Sequence, residues 1–110
     1  MPVVGDEHQQ RILIVEDEAD IRSLMTFVLE RAGYCTVGAS EVAEARAAIE
    51  RYDFDAALID LHLPDGHGDD VVGYLRAESP ETHIVVTSAM THAPLIPRLA
   101  TEAGDMFLPK

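Results

Sequence analysis

Cysteine occurs once in the 110 residues, at position 35, so no internal disulfide can form. That suits a reducing cytosol, and Cys35 reads as a small buried hydrophobe on a strand rather than a reactive thiol. Basic residues are scarce: 8 Lys and Arg stand against 20 Asp and Glu, a net charge of −12. Such a balance argues against nucleic acid and anionic membranes as direct partners and favours basic partners, a bound cation or simple solubility. No apolar run approaches the ~18 residues that a membrane span needs. The first ten residues, MPVVGDEHQQ, lack the basic start and apolar core of a signal peptide and read as a polar tail. There is no low-complexity segment, no linker and no convincing internal repeat.

What is present is one domain's worth of chain with 47% hydrophobic residues, enough for a core of modest margin. Short apolar runs alternate with amphipathic stretches. RILIV at 11–15 reads as a buried strand. Ile21, Leu24, Met25, Val28, Leu29 and Ala32 then recur at helical spacing, and Gly33 follows as a helix stop. A second strand is expected over 34–37. Ser40 is the expected N-cap of a helix with Val42, Ala45 and Ile49 inward. AALID at 56–60 is the third strand, and Pro64, Asp65, Gly66 and Gly68 punctuate a loop. A helix over 69–77 turns Val71, Val72 and Leu75 inward, and HIVVTS at 83–88 is the fourth strand. An irregular helix around Pro94 and Pro97 and a short fifth strand over 105–108 complete the pattern.

Apolar strands without alternation, each followed by a helix, imply a parallel sheet covered on both faces. In such a sheet the carboxyl ends of all strands share one edge, where ligands bind. That edge would collect Glu16-Asp17-Glu18, Asp60, Thr87-Ser88 and Pro109-Lys110. Clustered carboxylates repel one another unless a cation intervenes, and oxygen ligands of this kind suit Mg²⁺. A lysine and a hydroxyl beside them suit phosphoryl oxygens. The site is therefore expected to perform phosphoryl chemistry on a carboxylate.

The pieces ILIVEDE at 12–18, ALIDLHLPDGHG at 57–68, VVTSA at 85–89 and DMFLPK at 105–110, in this order, resemble a response regulator receiver domain. That family is the phospho-accepting module of two-component signalling. The resemblance implies a flavodoxin-like, doubly wound five-stranded parallel sheet of order 2-1-3-4-5. It implies a signalling module rather than an enzyme, cytoplasmic, phosphorylated by a histidine kinase or phosphotransfer protein. Asp60 would be the phosphoacceptor. Asp17, Glu16, Asp60 and the backbone carbonyl of His62 would hold Mg²⁺ or Mn²⁺. Ser88 would be the switch hydroxyl, with Thr87 as the alternative, Lys110 the phosphate-binding ammonium and Phe107 the switching aromatic. His62 and Met90 take the positions that tune phosphoryl lifetime, and an apolar Met90 implies a long-lived phosphoaspartate.

Three features depart from the family pattern. The acidic pair is Glu-Asp rather than Asp-Asp, the switch hydroxyl is serine, and the chain stops at Lys110, where a fifth helix is usual. The expected domain, 11–110 after a tail over 1–10, would thus lack its C-terminal helix. It would be a piece of a longer protein, or a homodimer or partner would cover the apolar face. A phosphorylation-independent interaction module on the same fold is the alternative. A phosphatase acting on free substrates would want a second acid two residues past Asp60, where His62 stands. His62 and His67 match no closed zinc spacing and read as exposed loop histidines. Asp65, Asp69 and Asp70 read as solvated charges.

Overall fold

A computed structural model describes residues 10–87. The elements run β1 (Arg11–Val15), α1 (Ala19–Arg31), β2 (Cys35–Ala39), α2 (Val42–Arg51), β3 (Ala56–Asp60), β4 (His62–Leu63), β5 (Gly66–His67), α3 (Gly68–Glu78) and β6 (His83–Thr87). Four strands form one parallel sheet in the order β2-β1-β3-β6, and β4 pairs with β5 in a small antiparallel hairpin. With β6 counted as the expected fourth strand, this is the expected order over the strands described. The irregular helix and fifth strand, like the tail over 1–9, lie outside the described residues.

Both faces of β1 and β3 are covered, which is why Ile12 to Val15 and Ala56 to Ile59 are all apolar. Side chains alternate across a strand. Leu13, Val15, Ala57 and Ile59 pack with α2 and α3, through Ala45, Ile49, Val71 and Leu75. Ile12, Ile14, Ala56 and Leu58 pack on the other side against Met25 and Leu29 of α1. Each fully buried Leu, Ile or Met side chain contributes about 1.5–3 kcal/mol. Glu16 and Asp60 continue the even-numbered series of β1 and β3. The same alternation that buries Ile14 and Leu58 therefore delivers both carboxylates to the α1 side of the carboxyl edge.

Several local expectations shift. The second strand starts one residue later and runs to Ala39, and Cys35 is half-buried rather than buried. Of the stripe read from helical spacing in α1, Met25 and Leu29 meet the sheet as expected, whereas Leu24 is 44% exposed. Ser40 is not the N-cap of α2, which is Glu41. The Ser40 N–H and O–H both donate to Glu44 Oε1, at 2.7 and 2.6 Å. These bonds hold the Glu44 carboxyl below its ordinary value.

The open N–H groups of α2 find a partner 23 residues away. Val42 N–H donates to Asp65 Oδ1 at 2.7 Å and Ala43 N–H to Asp65 Oδ2 at 3.1 Å. Asp65 is thus a helix cap and not a free loop charge, and it ties the loop after β3 to α2. The Val42 N–H bond, followed by that of Ala43, lowers the Asp65 carboxyl from its ordinary value. A depressed carboxyl stabilises the fold above its unfolded-state value of 3.8, and the effect is lost as pH falls through the folded-state value. Asp65→Ala is therefore expected to lower the urea midpoint at pH 7, with the difference from wild type closing in acid below pH 3.8. Equal midpoints at pH 7 would remove the capping role.

Candidate phosphoacceptor and cation site

The carboxyl ends of β1 and β3 are adjacent, because the two strands pair in parallel with Val15 opposite Ile59. Glu16 and Asp17 leave β1 just where Asp60 ends β3. One oxygen each from Glu16, Asp17 and Asp60 lies within 4.8 Å of the other two. Glu16 is 1% exposed and Asp60 6%, whereas Asp17 faces solvent. Two carboxylates are therefore held in the protein's edge and the third guards its mouth.

Backbone groups fix the geometry. Glu16 N–H donates to the Ala39 carbonyl at 2.9 Å, so β2 anchors the turn that leaves β1. Glu18 N–H donates to Glu16 Oε2 at 3.1 Å. His62 N–H donates to Asp60 Oδ1 at 3.3 Å, which holds the Asp60 side chain against the loop that follows it. Burial pushes the Glu16 carboxyl from its ordinary 4.5 to about 7; the Glu18 N–H opposes this, while the charges of Asp60 and Asp17 add to it. Three carboxylates this close together leave the cluster short of positive charge. The donor set is all oxygen, which suits a hard divalent cation such as Mg²⁺. The residues present fit that ion.

Thr87 stands opposite Asp60 in the β3–β6 register. Its hydroxyl is buried and donates to the Ile59 carbonyl at 3.5 Å, while its carbonyl accepts from Leu61 N–H at 2.9 Å. It thus fastens β6 beside Asp60. Ser88, Met90, Phe107 and Lys110 lie outside the described residues.

Two supporting residues were not singled out from sequence. The Arg22 guanidinium donates from Nη1 to the Glu16 carbonyl at 2.7 Å. Its stem crosses β2 at Gly38, where an added Cβ would lie 3.3 Å from Arg22 Cδ. Gly68 lies directly against the end of β3: a Cβ there would lie 2.3 Å from the Asp60 carbonyl oxygen and 3.0 Å from Ile59 Cγ2. Gly68 N–H also donates to the Leu61 carbonyl at 2.9 Å. The signal for Gly68 was its place in the loop eight residues past Asp60; nothing local marks Arg22.

These features define a doubly wound α/β protein with an acidic, cation-suited cluster at the carboxyl edge of its sheet. Residues 12–110 match the response regulator receiver domain, and the chain belongs to that family. Over 81 residues it is 42% identical to the response regulator protein PilR of Pseudomonas aeruginosa, covering 74% of this chain and 18% of that protein. Over 103 residues it is 31% identical to the DNA-binding response regulator MtrA of Mycobacterium tuberculosis, covering 94% of this chain and 45% of that one. The chain therefore spans less than half the length of these curated relatives. Among solved structures it is similar to the response regulator protein TrrA from Thermotoga maritima in complex with Mg²⁺ and BeF, with a TM-score of 0.70, 28% identity, and 93% and 87% of the two chains covered. A CheY-like receiver domain protein from Methanospirillum hungatei gives a TM-score of 0.71 at 27% identity, over 84% and 75% of the chains. Among the described residues no helix is long and apolar enough to cross a membrane.

Proposed function

We propose that this domain accepts a phosphoryl group on Asp60 from the phosphohistidine of a histidine kinase or phosphotransfer protein, and that the modification changes its partner-binding surface. The observation that carries the reading is the convergence of Glu16, Asp17 and Asp60, with Asp60 at the end of a wholly buried strand. An Asp60 carboxylate oxygen forms the new bond to phosphorus as the phosphorus–nitrogen bond to the donor imidazole breaks, and the departing nitrogen keeps the electron pair.

Asp17, Glu16, Asp60 and the His62 carbonyl are the residues that would hold Mg²⁺ or Mn²⁺. When bound, that ion offsets the charge on the transferring phosphoryl oxygens. Asp60 is the nucleophile, and the His62 N–H keeps its carboxylate aimed out of the edge. Ser88, or Thr87 in its stead, is the hydroxyl that meets the phosphoryl group. Lys110 pairs with the phosphoryl group, Phe107 answers by changing rotamer, and Met90 with His62 flanks the path of the hydrolytic water. Such a domain works in the cytoplasm, relays its state through a protein partner or a second copy, and makes no direct contact with nucleic acid.

Incubation with acetyl phosphate, with and without Mg²⁺, tests this by intact-protein mass. The expected result is a gain of one phosphate that needs Mg²⁺ and is lost in Asp60→Asn. No gain under either condition would favour a phosphorylation-independent interaction module on the same fold.

A further inference from the structure

The hairpin that follows Asp60 brings together two histidines that sequence spacing keeps apart. β4 and β5 pair with His62 directly opposite His67. Both side chains are exposed, and their ring centroids lie 6.4 Å apart with the planes at 69°. Residues facing each other on antiparallel strands have Cβ atoms only about 4.5–5.5 Å apart. Imidazole nitrogens bind borderline metals at about 2.0–2.1 Å, which sets the ring centres of a two-imidazole chelate about 5–6 Å apart. A rotation of the exposed His62 ring closes the difference and leaves the capping contact of the His67 ring at the start of α3 in place. The hairpin supplies the preorganisation, since the register holds both rings on one side before any ion arrives.

We propose that His62 and His67 form a two-imidazole site for a borderline transition-metal ion, of the Ni²⁺, Cu²⁺ or Zn²⁺ type, with water in the remaining positions. This site is separate in chemistry from the all-oxygen cluster of Glu16, Asp17 and Asp60. Nitrogen ligands select against Mg²⁺, and Mg²⁺ in turn should leave the imidazole pair free. Adjacent carboxylates on the first turn of α3 strengthen the local field for a cation: Asp69 and Asp70 stand there, and Asp70 Oδ2 accepts the His67 N–H at 3.4 Å. An ion held by both rings would staple β4 to β5 and stiffen the segment whose His62 N–H reaches Asp60.

The test is calorimetric titration of the untagged chain with Ni²⁺ in excess Mg²⁺. One equivalent is expected to bind, with affinity about tenfold or more weaker in His67→Ala and in His62→Ala. Nickel-induced paramagnetic broadening in the wild-type protein reads the site without any variant and is expected at the ring protons of His62 and His67. Unchanged binding in both variants, loss of binding to excess Mg²⁺, or broadening confined to other residues would each overturn the proposal.

Discussion

Gly68→Ala is expected to lower stability by about 3 kcal/mol, or roughly 10–20 °C in melting temperature for a domain of this size. The added methyl would stand 2.3 Å from the Asp60 carbonyl oxygen and 3.0 Å from Ile59 Cγ2. A flexible side chain could move aside, but the nearest atom is backbone in the central strand of the sheet. β3 is held on one side by β1 and on the other by β6, so the strand cannot retreat. Relief must come from α3, whose first residue is Gly68 and whose Val71 and Leu75 are fully buried. Moving the start of α3 outward stretches the bond from Gly68 N–H to the Leu61 carbonyl and opens the packing beneath Asp60. Phosphorylation by acetyl phosphate, measured well below the variant's melting point, should therefore slow as well. A melting temperature and a phosphorylation rate both at wild-type values would show that the loop absorbs the methyl without cost.

How far these features could be read from sequence depends on the range of the interaction involved. AALID announced both its burial and its isolated acid, because a strand covered on both faces is apolar at every position. The meeting of Asp60 with Glu16 and Asp17 followed from topology alone, since parallel strands share their carboxyl edge. The cap of α2 did not. A serine and an acid before a helix are a local signal, and Ser40 satisfied it, yet Glu44 took both Ser40 donors and Asp65 reached the helix from 23 residues away. No window along the chain contains that contact. The β4–β5 hairpin was equally hidden, because strands of two residues have no period to detect. Leu24 had helical spacing but sits beyond the stripe that meets the sheet. Topology also put Ser88 and Lys110 on the expected edge, whereas only the resemblance marked Phe107; all three lie outside the described residues.

Glu16 sets the second large effect, which is a pH dependence. Its carboxyl is pushed to about 7, first by burial. The folded protein therefore retains a proton that the unfolded chain releases near 4.5, and without metal the fold loses stability as pH rises from about 4.5 through about 7. With allowance for screening at the sheet edge, the loss is on the order of 1–2 kcal/mol. Glu16→Gln removes the buried charge, so at pH 8 without metal the variant is expected to be the more stable protein. On the proposed cation site, a divalent ion is expected to reverse the order, because it would bind the deprotonated carboxylate and stabilise the folded state by mass action. For one proton with a value of about 7, Mg²⁺ affinity should be about tenfold weaker at pH 6 than at pH 8. Glu16→Gln should bind Mg²⁺ more weakly at pH 8 and show a nearly flat profile between those limits. Urea midpoints and Mg²⁺ titrations at pH 6, 7 and 8 for both proteins measure all of this. A wild-type affinity that does not change between pH 6 and 8 would mean that Glu16 is already ionised at pH 6 or contributes nothing to the ion. A variant less stable than wild type at pH 8 in the absence of metal would mean that its bond to the Glu18 N–H outweighs the cost of burying its charge.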